Sequence, residues 1–291
     1  MIEDALSEPD LSLGPRSPLA LVPGQVRCQL LMLVRSPLPA FITLVVPVML
    51  LVALDLVTPE MTLRSLGGVR VAQFLTPAMA SFAVLNAGFV DTVVGTTLAR
   101  ERGILKLLRA TPLPSWVYLA GRLGATLVVG AGSVAVVTLI GLNLLHAHLA
   151  PGGLGPFAAA AAAGLVASFA LGVAVAALVT SADSALPVSY AILLPIAFIS
   201  GVFFPAPTEA HWLRALSDAL PAAPVARALE AAFARGAAHG PTVHQLLVLA
   251  GWTLGATGLA AWRFSWAPTG GRHRRGAHGT SHRPPGTAPT P

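Results

Sequence analysis

Six long apolar stretches, separated by shorter segments that hold most of the charged residues, dominate the chain. Each is about 20 residues long, the length at which a helix rising about 1.5 Å per residue covers the roughly 30 Å of hydrocarbon in a bilayer. They extend over about Leu38–Val57, Ala72–Gly95, Trp116–Leu142, Phe157–Val179, Leu186–Phe204 and Thr242–Phe264. The pattern predicts an all-α integral membrane protein with six transmembrane helices.

Composition supports this interpretation, because 55% of the residues are hydrophobic and only 10% are charged. Soluble domains have about 25% charged residues, which they need to cover their surface. The net charge of +6 does not indicate nucleic-acid binding, since the basic residues do not alternate with aromatic ones. The single cysteine, Cys28, excludes an internal disulfide and a cysteine-based zinc site.

Two segments are amphipathic rather than long and apolar. Gly24–Arg35 has the pattern of a helix lying in the membrane interface before the first span. His211–Arg235 mixes apolar and charged residues, and Pro221 and Pro224 are expected to break it into two short helices before the sixth span.

The distribution of Lys and Arg predicts the orientation, because basic residues are retained on the cytoplasmic side. With both termini in the cytoplasm, thirteen of the 18 Lys and Arg residues lie in or beside cytoplasmic segments. The predicted organisation is a disordered leader over 1–23, a transmembrane domain over 24–266 and a disordered basic tail over 267–291. The helix pair between spans five and six is then extracytoplasmic.

Polar residues inside a span are costly and need a partner or a function. Asp91 and Arg122 lie near the cytoplasmic ends of consecutive antiparallel spans, where they can form an ion pair, reach water separately or serve transport. Asn86 is expected to face a lumen or a neighbouring helix.

Small residues recur at intervals of four in two spans. Gly164, Ser168 and Gly172 lie in the fourth span, and Gly251 and Gly255 lie in the sixth. This spacing favours close approach between helices in a membrane.

The segment between spans two and three, Arg100–Pro114, carries the clearest sign of chemistry. Its leucines and charges predict a short helix that stops at Thr111 and Pro112. From charge alone it is either a basic loop that only fixes topology or a rigid cytoplasmic surface for a soluble partner.

The run RERGILKLLRATPLP at Arg100–Pro114, followed by Tyr118–Arg122, resembles the coupling segment of the type 2 exporter family of ABC transporter permeases. The run SGVFFP at Ser200–Pro205, followed by Trp212 and the prolines of the outer helix pair, resembles that family's pattern at the end of the fifth span. The order of elements also fits over roughly residues 24–265.

This resemblance implies specific site residues. It assigns the ATPase-coupling segment to Arg100, Glu101, Arg102, Gly103, Lys106, Arg109, Thr111 and Pro112, and an outer-end motif to Ser200, Gly201, Phe203, Phe204 and Pro205. Glu101 and Arg102 would cap and orient the coupling helix. Gly103 would let the partner's backbone approach, and Lys106 and Arg109 would offer it charge.

The resemblance also implies partners and a function. The chain would be the permease subunit of an ATP-driven exporter, paired with a second copy or a paralogue and driven by a cytoplasmic ABC ATPase subunit. ATP and Mg²⁺ would bind to that partner, because this sequence has no Walker A motif and suggests no cofactor site, catalytic residue or metal ligand. The substrate would be amphipathic or lipid-like, such as a drug, and the location a bacterial plasma membrane.

Two other classes of function remain open from the residues. A secondary carrier would be expected to have inverted repeats and a deep acidic residue, and Asp91 is the only candidate. A non-transporting membrane scaffold would not need an amphipathic coupling helix.

Overall fold

The computed structural model describes residues 18–35, 37–58, 62–63, 69–104, 115–203, 211–234 and 240–263. A short 3₁₀-helix at Pro18–Leu21 leads into the α-helices. These are α1 (Val22–Arg35), α2 (Pro37–Val57), α3 (Val71–Leu85), α4 (Asp91–Glu101), α5 (Ser115–Asn143), α6 (Leu154–Leu178), α7 (Ala182–Ile199), α8 (His211–Ala219), α9 (Ala222–Ala231) and α10 (Val243–Arg263). A π-helical turn at Asn86–Val90 joins α3 to α4 without a break.

Five helices in the described part of the chain are long and apolar enough to cross a membrane. They are Val71–Glu101, Trp116–Asn143, Leu154–Leu178, Ala182–Ile199 and Val243–Trp262. Each matches a predicted span, although the helix Val71–Glu101 extends beyond Gly95, where the second predicted span ends. The first predicted span corresponds to α2, whose apolar part, Phe41–Val57, is shorter. The helical architecture is confirmed, while the sixth crossing stays a prediction.

The continuous helix Val71–Glu101 is the centre of the bundle. From Val71 to Val90 every residue except Gln73 is buried, and α2, α5, α6 and α9 all pack on this segment. Burial within protein, away from lipid, permits polar residues such as Asn86 and Asp91 along this helix.

The small residues of α6 face this central helix. A Cβ at Gly164 would press on Val84, and one at Gly172 would press on Thr92. Ser168 in turn touches the position where Gly88 has no side chain. Four-residue spacing thus brings two helix backbones together, as predicted for the fourth span.

The corresponding prediction for the sixth span is wrong in the described structure. No atom lies within 4 Å of a Cβ built at Gly251 or Gly255. Both glycines instead line an apolar cavity of about 690 Å³, which α6, α7 and α10 enclose together with the π-helical turn. Missing side chains here create space rather than a helix contact.

The amphipathic helix α1 packs along α5. Gly121 and Gly124 of α5 lie directly against Gln25 and Val26, with too little room for a Cβ at either glycine. Helix α1 begins at Val22 and follows the 3₁₀-helix, so residues 18–23, assigned above to a disordered leader, are helical. The predicted position of α1 in the interface stays a prediction.

The two short helices before the sixth span are present as α8 and α9. The break falls at Leu220 and Pro221, whereas Pro224 lies within the first turn of α9. A proline is tolerated there because its missing N–H would have no partner in the helix. Helix α9 is largely buried and packs on α3 and α6, so it is part of the bundle.

A two-stranded antiparallel pair, β1 (Thr62–Leu63) and β2 (Val69–Arg70), precedes α3, with Thr62 opposite Arg70. The pattern of apolar and polar residues does not predict this strand pair.

Candidate functional site

The C-terminal end of the central helix is bound to the turn between α6 and α7. The guanidinium of Arg100 is buried, with 4% of the residue exposed. Its Nη1 donates to the carbonyl of Ala176 at 3.0 Å, and its Nη2 donates to the carbonyl of Val179. The last carbonyls of a helix lack partners within the helix and carry partial negative charge. Arg100 therefore caps the C-terminus of α6.

Glu101, the next residue, binds the start of α7. Its Oε1 accepts a hydrogen bond of 2.6 Å from the main-chain nitrogen of Ala182, the first residue of that helix. Ser181 caps the same terminus by accepting from the nitrogen of Ser184. A carboxylate at a helix N-terminus is favourable for the helix dipole. This differs from the role that the family resemblance implies for Glu101, a cap on its own coupling helix.

Arg102 and Gly103 end the central helix. The nitrogen of Gly103 donates to the carbonyl of Arg100 at 3.1 Å, and Gly103 has φ +71°, a left-handed conformation that favours glycine. Arg102 is exposed. The expected role of Arg102 as a cap of the coupling helix stays a prediction. So does the close approach of the ATPase backbone at Gly103. The remaining predicted coupling residues, Lys106, Arg109, Thr111 and Pro112, lie outside the described residues.

Arg122 contacts Asp91 through the main chain of Asp91 and not through its carboxylate. The Nη2 of Arg122 donates to the main-chain oxygen of Asp91 at 3.0 Å. The carboxylate of Asp91 accepts instead from the hydroxyl of Thr43 on α2, at 2.5 Å. The pairing expected from sequence thus becomes a three-helix contact, because the hydroxyl of α2 reaches the carboxylate.

Asn86 lies at the start of the π-helical turn, with 1% of the residue exposed. Its Oδ1 accepts a hydrogen bond of 3.0 Å from the hydroxyl of Tyr190 on α7. Of the two environments expected for Asn86, the structure gives it a neighbouring helix.

The predicted outer-end motif closes α7. Gly201 has φ +79°, and the nitrogen of Ser200 donates to the carbonyl of Ile196. The ring of Phe203 lies 5.3 Å from that of Phe82 on the central helix, measured between centroids. The motif thus ties the end of α7 to α3. Phe204 and Pro205 lie outside the described residues.

Near the N-terminal end of the central helix, Gln73 joins three elements. Its Nε2 donates to the carbonyls of His148 and Phe233, at 2.7 and 2.8 Å, and its Oε1 accepts from the nitrogen of His148 at 2.8 Å. Nearby on α9, burial raises the pKa of Glu230 to about 7, although the positive charge of Arg227 lowers it. Arg227 itself pairs with Asp218 of α8.

Sequence reasoning missed three partners in these contacts: Thr43, Tyr190 and Gln73. Each is an uncharged polar side chain in or beside an apolar stretch. Such a side chain must find a hydrogen-bond partner in the bilayer. A polar residue in an apolar stretch therefore indicates a contact within the protein. Its partner lies far away in sequence, so the signal does not identify the contact.

The model of the ABC-2 type transporter family matches residues 26–234. No curated protein matches the chain. Permeases of this family work with ABC ATPase subunits and have no catalytic ATPase domain in their membrane part. The match covers most of α1, the central helix with its bound C-terminal end, and the helix pair α8 and α9. This chain, a multi-pass membrane protein, therefore belongs to the ABC-2 type transporter family.

Proposed function

We propose that this chain is the permease subunit of an ATP-driven exporter in a bacterial plasma membrane. Six helices would cross the bilayer with both termini in the cytoplasm, and two permease copies or paralogues would pair. The observation that carries the proposal is the contact of Arg100 and Glu101 with both ends of the α6–α7 turn.

These contacts suggest how a partner would act on the bundle. The segment that resembles the coupling helix follows Arg100 and Glu101 directly in the sequence. A displacement of that segment would pull on the inner end of the central helix. Because this end also holds the C-terminus of α6 and the N-terminus of α7, three spans would move together. Lys106 and Arg109 would supply the charges that meet the ATPase.

The large apolar cavity supports an amphipathic or lipid-like substrate, such as a drug. Its lining is almost entirely hydrocarbon and includes Phe89, Leu171, Ile196, Trp252 and Leu259. Apolar pockets of several hundred Å³ suit drug-sized ligands. A hydrophilic solute would find few polar partners there.

Co-expression with a candidate ABC ATPase tests the proposal. The solubilised chain should retain the ATPase through purification. Vesicles that contain both proteins should move an amphipathic dye only with ATP and Mg²⁺, which the ATPase binds. A Walker A lysine variant of the ATPase is the matched control and should bind without supporting transport.

Two outcomes would contradict the proposal. Transport by the chain alone under a proton gradient would indicate a secondary carrier. Failure of the chain to retain any ATPase encoded beside its gene, with no transport in vesicles, would indicate a scaffold.

A further inference from the structure

A second cavity, of about 180 Å³, lies where α1, α4 and α5 meet. It is at the end of the bundle where α4 ends and α5 begins, the side predicted to be cytoplasmic. Polar side chains from all three elements line it: Gln29, Asp91, Arg102, Tyr118 and Arg122. One water needs roughly 10–15 Å³ by this kind of measure. The cavity therefore has room for a polar group much larger than water.

The charges around this cavity are unbalanced. Two guanidinium groups, from Arg102 and Arg122, line it with one carboxylate, from Asp91. That carboxylate is hydrogen-bonded to Thr43. Among the described residues, no carboxylate oxygen lies within 4.0 Å of either guanidinium. Arg122 is partly buried, and one carboxylate cannot neutralise two guanidinium groups, so the lining keeps an excess of positive charge. The cavity is therefore suited to an anion.

Arg122 also has unused hydrogen-bonding capacity. Its Nη2 binds the main-chain oxygen of Asp91, but its buried Nε has no partner among the described residues. Gly95 on α4 leaves room for the guanidinium of Arg122, because a Cβ at this position would overlap with it. The planar guanidinium presents parallel N–H groups that match the oxygens of a phosphate.

We propose that this cavity binds the phosphate of an anionic lipid head group. A phosphodiester carries one negative charge, which equals the excess of guanidinium over carboxylate in the lining. The remaining lining is apolar and includes Met32, Val94 and Leu98, and Met32 is 40% exposed. Basic pockets between transmembrane helices on the cytoplasmic side suit anionic head groups. An acyl chain can leave the cavity along this apolar side, and free phosphate shares only the anion chemistry.

The binding site is independent of the proposed transport function and can be tested without an ATPase. The full chain in neutral detergent is titrated with dihexanoyl phosphatidylglycerol, with dihexanoylglycerol, which has no phosphate, and with inorganic phosphate. The phosphatidylglycerol should bind saturably, and dihexanoylglycerol should bind at least about tenfold more weakly.

Charge-neutral variants locate the site. Arg122→Gln should weaken phosphatidylglycerol binding by at least about tenfold, because a charge-assisted hydrogen bond is lost. Arg102→Gln should weaken it by about fivefold, the effect of one basic residue near a membrane surface. Arg102 is exposed, so this variant is expected to fold normally. Arg27→Gln, on the exposed side of α1, is the matched control and should change affinity less than about twofold.

A further variant keeps the charge of Arg122 and removes the space that its guanidinium occupies. Gly95→Ala should weaken binding as Arg122→Gln does, because the added Cβ displaces the guanidinium. Competition by inorganic phosphate would support a free phosphate ion as an alternative source of the anion, whereas its absence assigns the site to lipid. Equal binding of dihexanoylglycerol, or an affinity unchanged in Arg122→Gln and Arg102→Gln, would overturn the proposal.

Discussion

Glu101, at the C-terminal end of the central helix, caps the first turn of α7 through the hydrogen bond from the nitrogen of Ala182 to its Oε1. The two residues are 81 positions apart in the chain. With Arg100 on the preceding carbonyls, this contact makes the α6–α7 turn part of the same unit as the central helix. The predicted coupling segment would therefore act on three helices at once.

Glu101→Lys should uncouple the bundle without unfolding it. The ammonium group is unfavourable at a helix N-terminus, so α7 would lose its connection to the central helix. We expect a loss of about 1 kcal/mol in the free energy of unfolding and a several-fold loss of ATP-dependent transport. Asp183→Lys, at an exposed acid in the same first turn of α7, is the control and should transport normally. Equal transport in both variants would contradict this role for Glu101.

Gly88→Ala should destabilise the bundle. The added Cβ would overlap with that of Ser168 and press on the carbonyl of Leu165. Overpacking of this kind typically costs about 1–3 kcal/mol. Thermal unfolding in detergent measures the effect, and Gly251→Ala is the control, because its Cβ would enter open space. The contact would be unimportant if the two variants unfolded at the same temperature.

Gln73→Ala should weaken the contacts among the start of α3, the segment at His148 and the end of α9. Three hydrogen bonds would be lost, and the carbonyl of Phe233 at the end of α9 would lose its side-chain donor. We expect a cost of about 1–3 kcal/mol and faster proteolysis of the segment around His148. Gln245→Ala is the control, since the Oε1 of Gln245 accepts a hydrogen bond from the main-chain nitrogen of Thr242, beside the start of its own helix. A loop cut equally fast in both variants would argue against the role of Gln73.

Glu230 should make stability depend on pH between about 4.5 and 7. Burial raises its pKa in the folded state to about 7 from 4.5, so the folded protein holds a proton that the unfolded chain releases. This contribution is complete below pH 4.5 and is lost as pH rises through 7. In Glu230→Gln the unfolding temperature should therefore change less between pH 5 and pH 8 than it does in the wild type. Asp218→Asn, at the acid that pairs with Arg227, should not remove the same dependence.

Hydropathy predicts most of this fold because transmembrane helices must be long and apolar. The ends of α5, α6 and α10 fall within a few residues of the expected spans. The small-residue face of α6 was also predictable, since its spacing repeats on one side of a helix. The same pattern in α10 lines a cavity, because α10 packs on α6 through Ala256 and Ala260 and not through Gly251 and Gly255, and spacing does not show which small residues make the contact.

The site could be predicted only in part. The family motif located Arg100 and Glu101 on the chain, but it implied only that Glu101 caps its own coupling helix and gave no contact for Arg100. Arg100 is buried, because the free carbonyls at the end of α6 compensate its charge. Charge along a sequence does not show such a contact, because a main-chain acceptor has no residue type.

The π-helical turn sets the rotation of everything that follows it along the central helix. One residue of α-helix corresponds to a rotation of about 100°, whereas a π-turn closes its hydrogen bond over five residues. Here the nitrogen of Asp91 donates to the carbonyl of Asn86. Because the π-turn takes up one extra residue, deletion of one residue within Asn86–Val90 would restore α-helical hydrogen bonds and leave the rest of the helix in nearly the same orientation. Deletion of one residue from the regular part of α4 would instead turn Arg100 and Glu101 by about 100°, away from the α6–α7 turn.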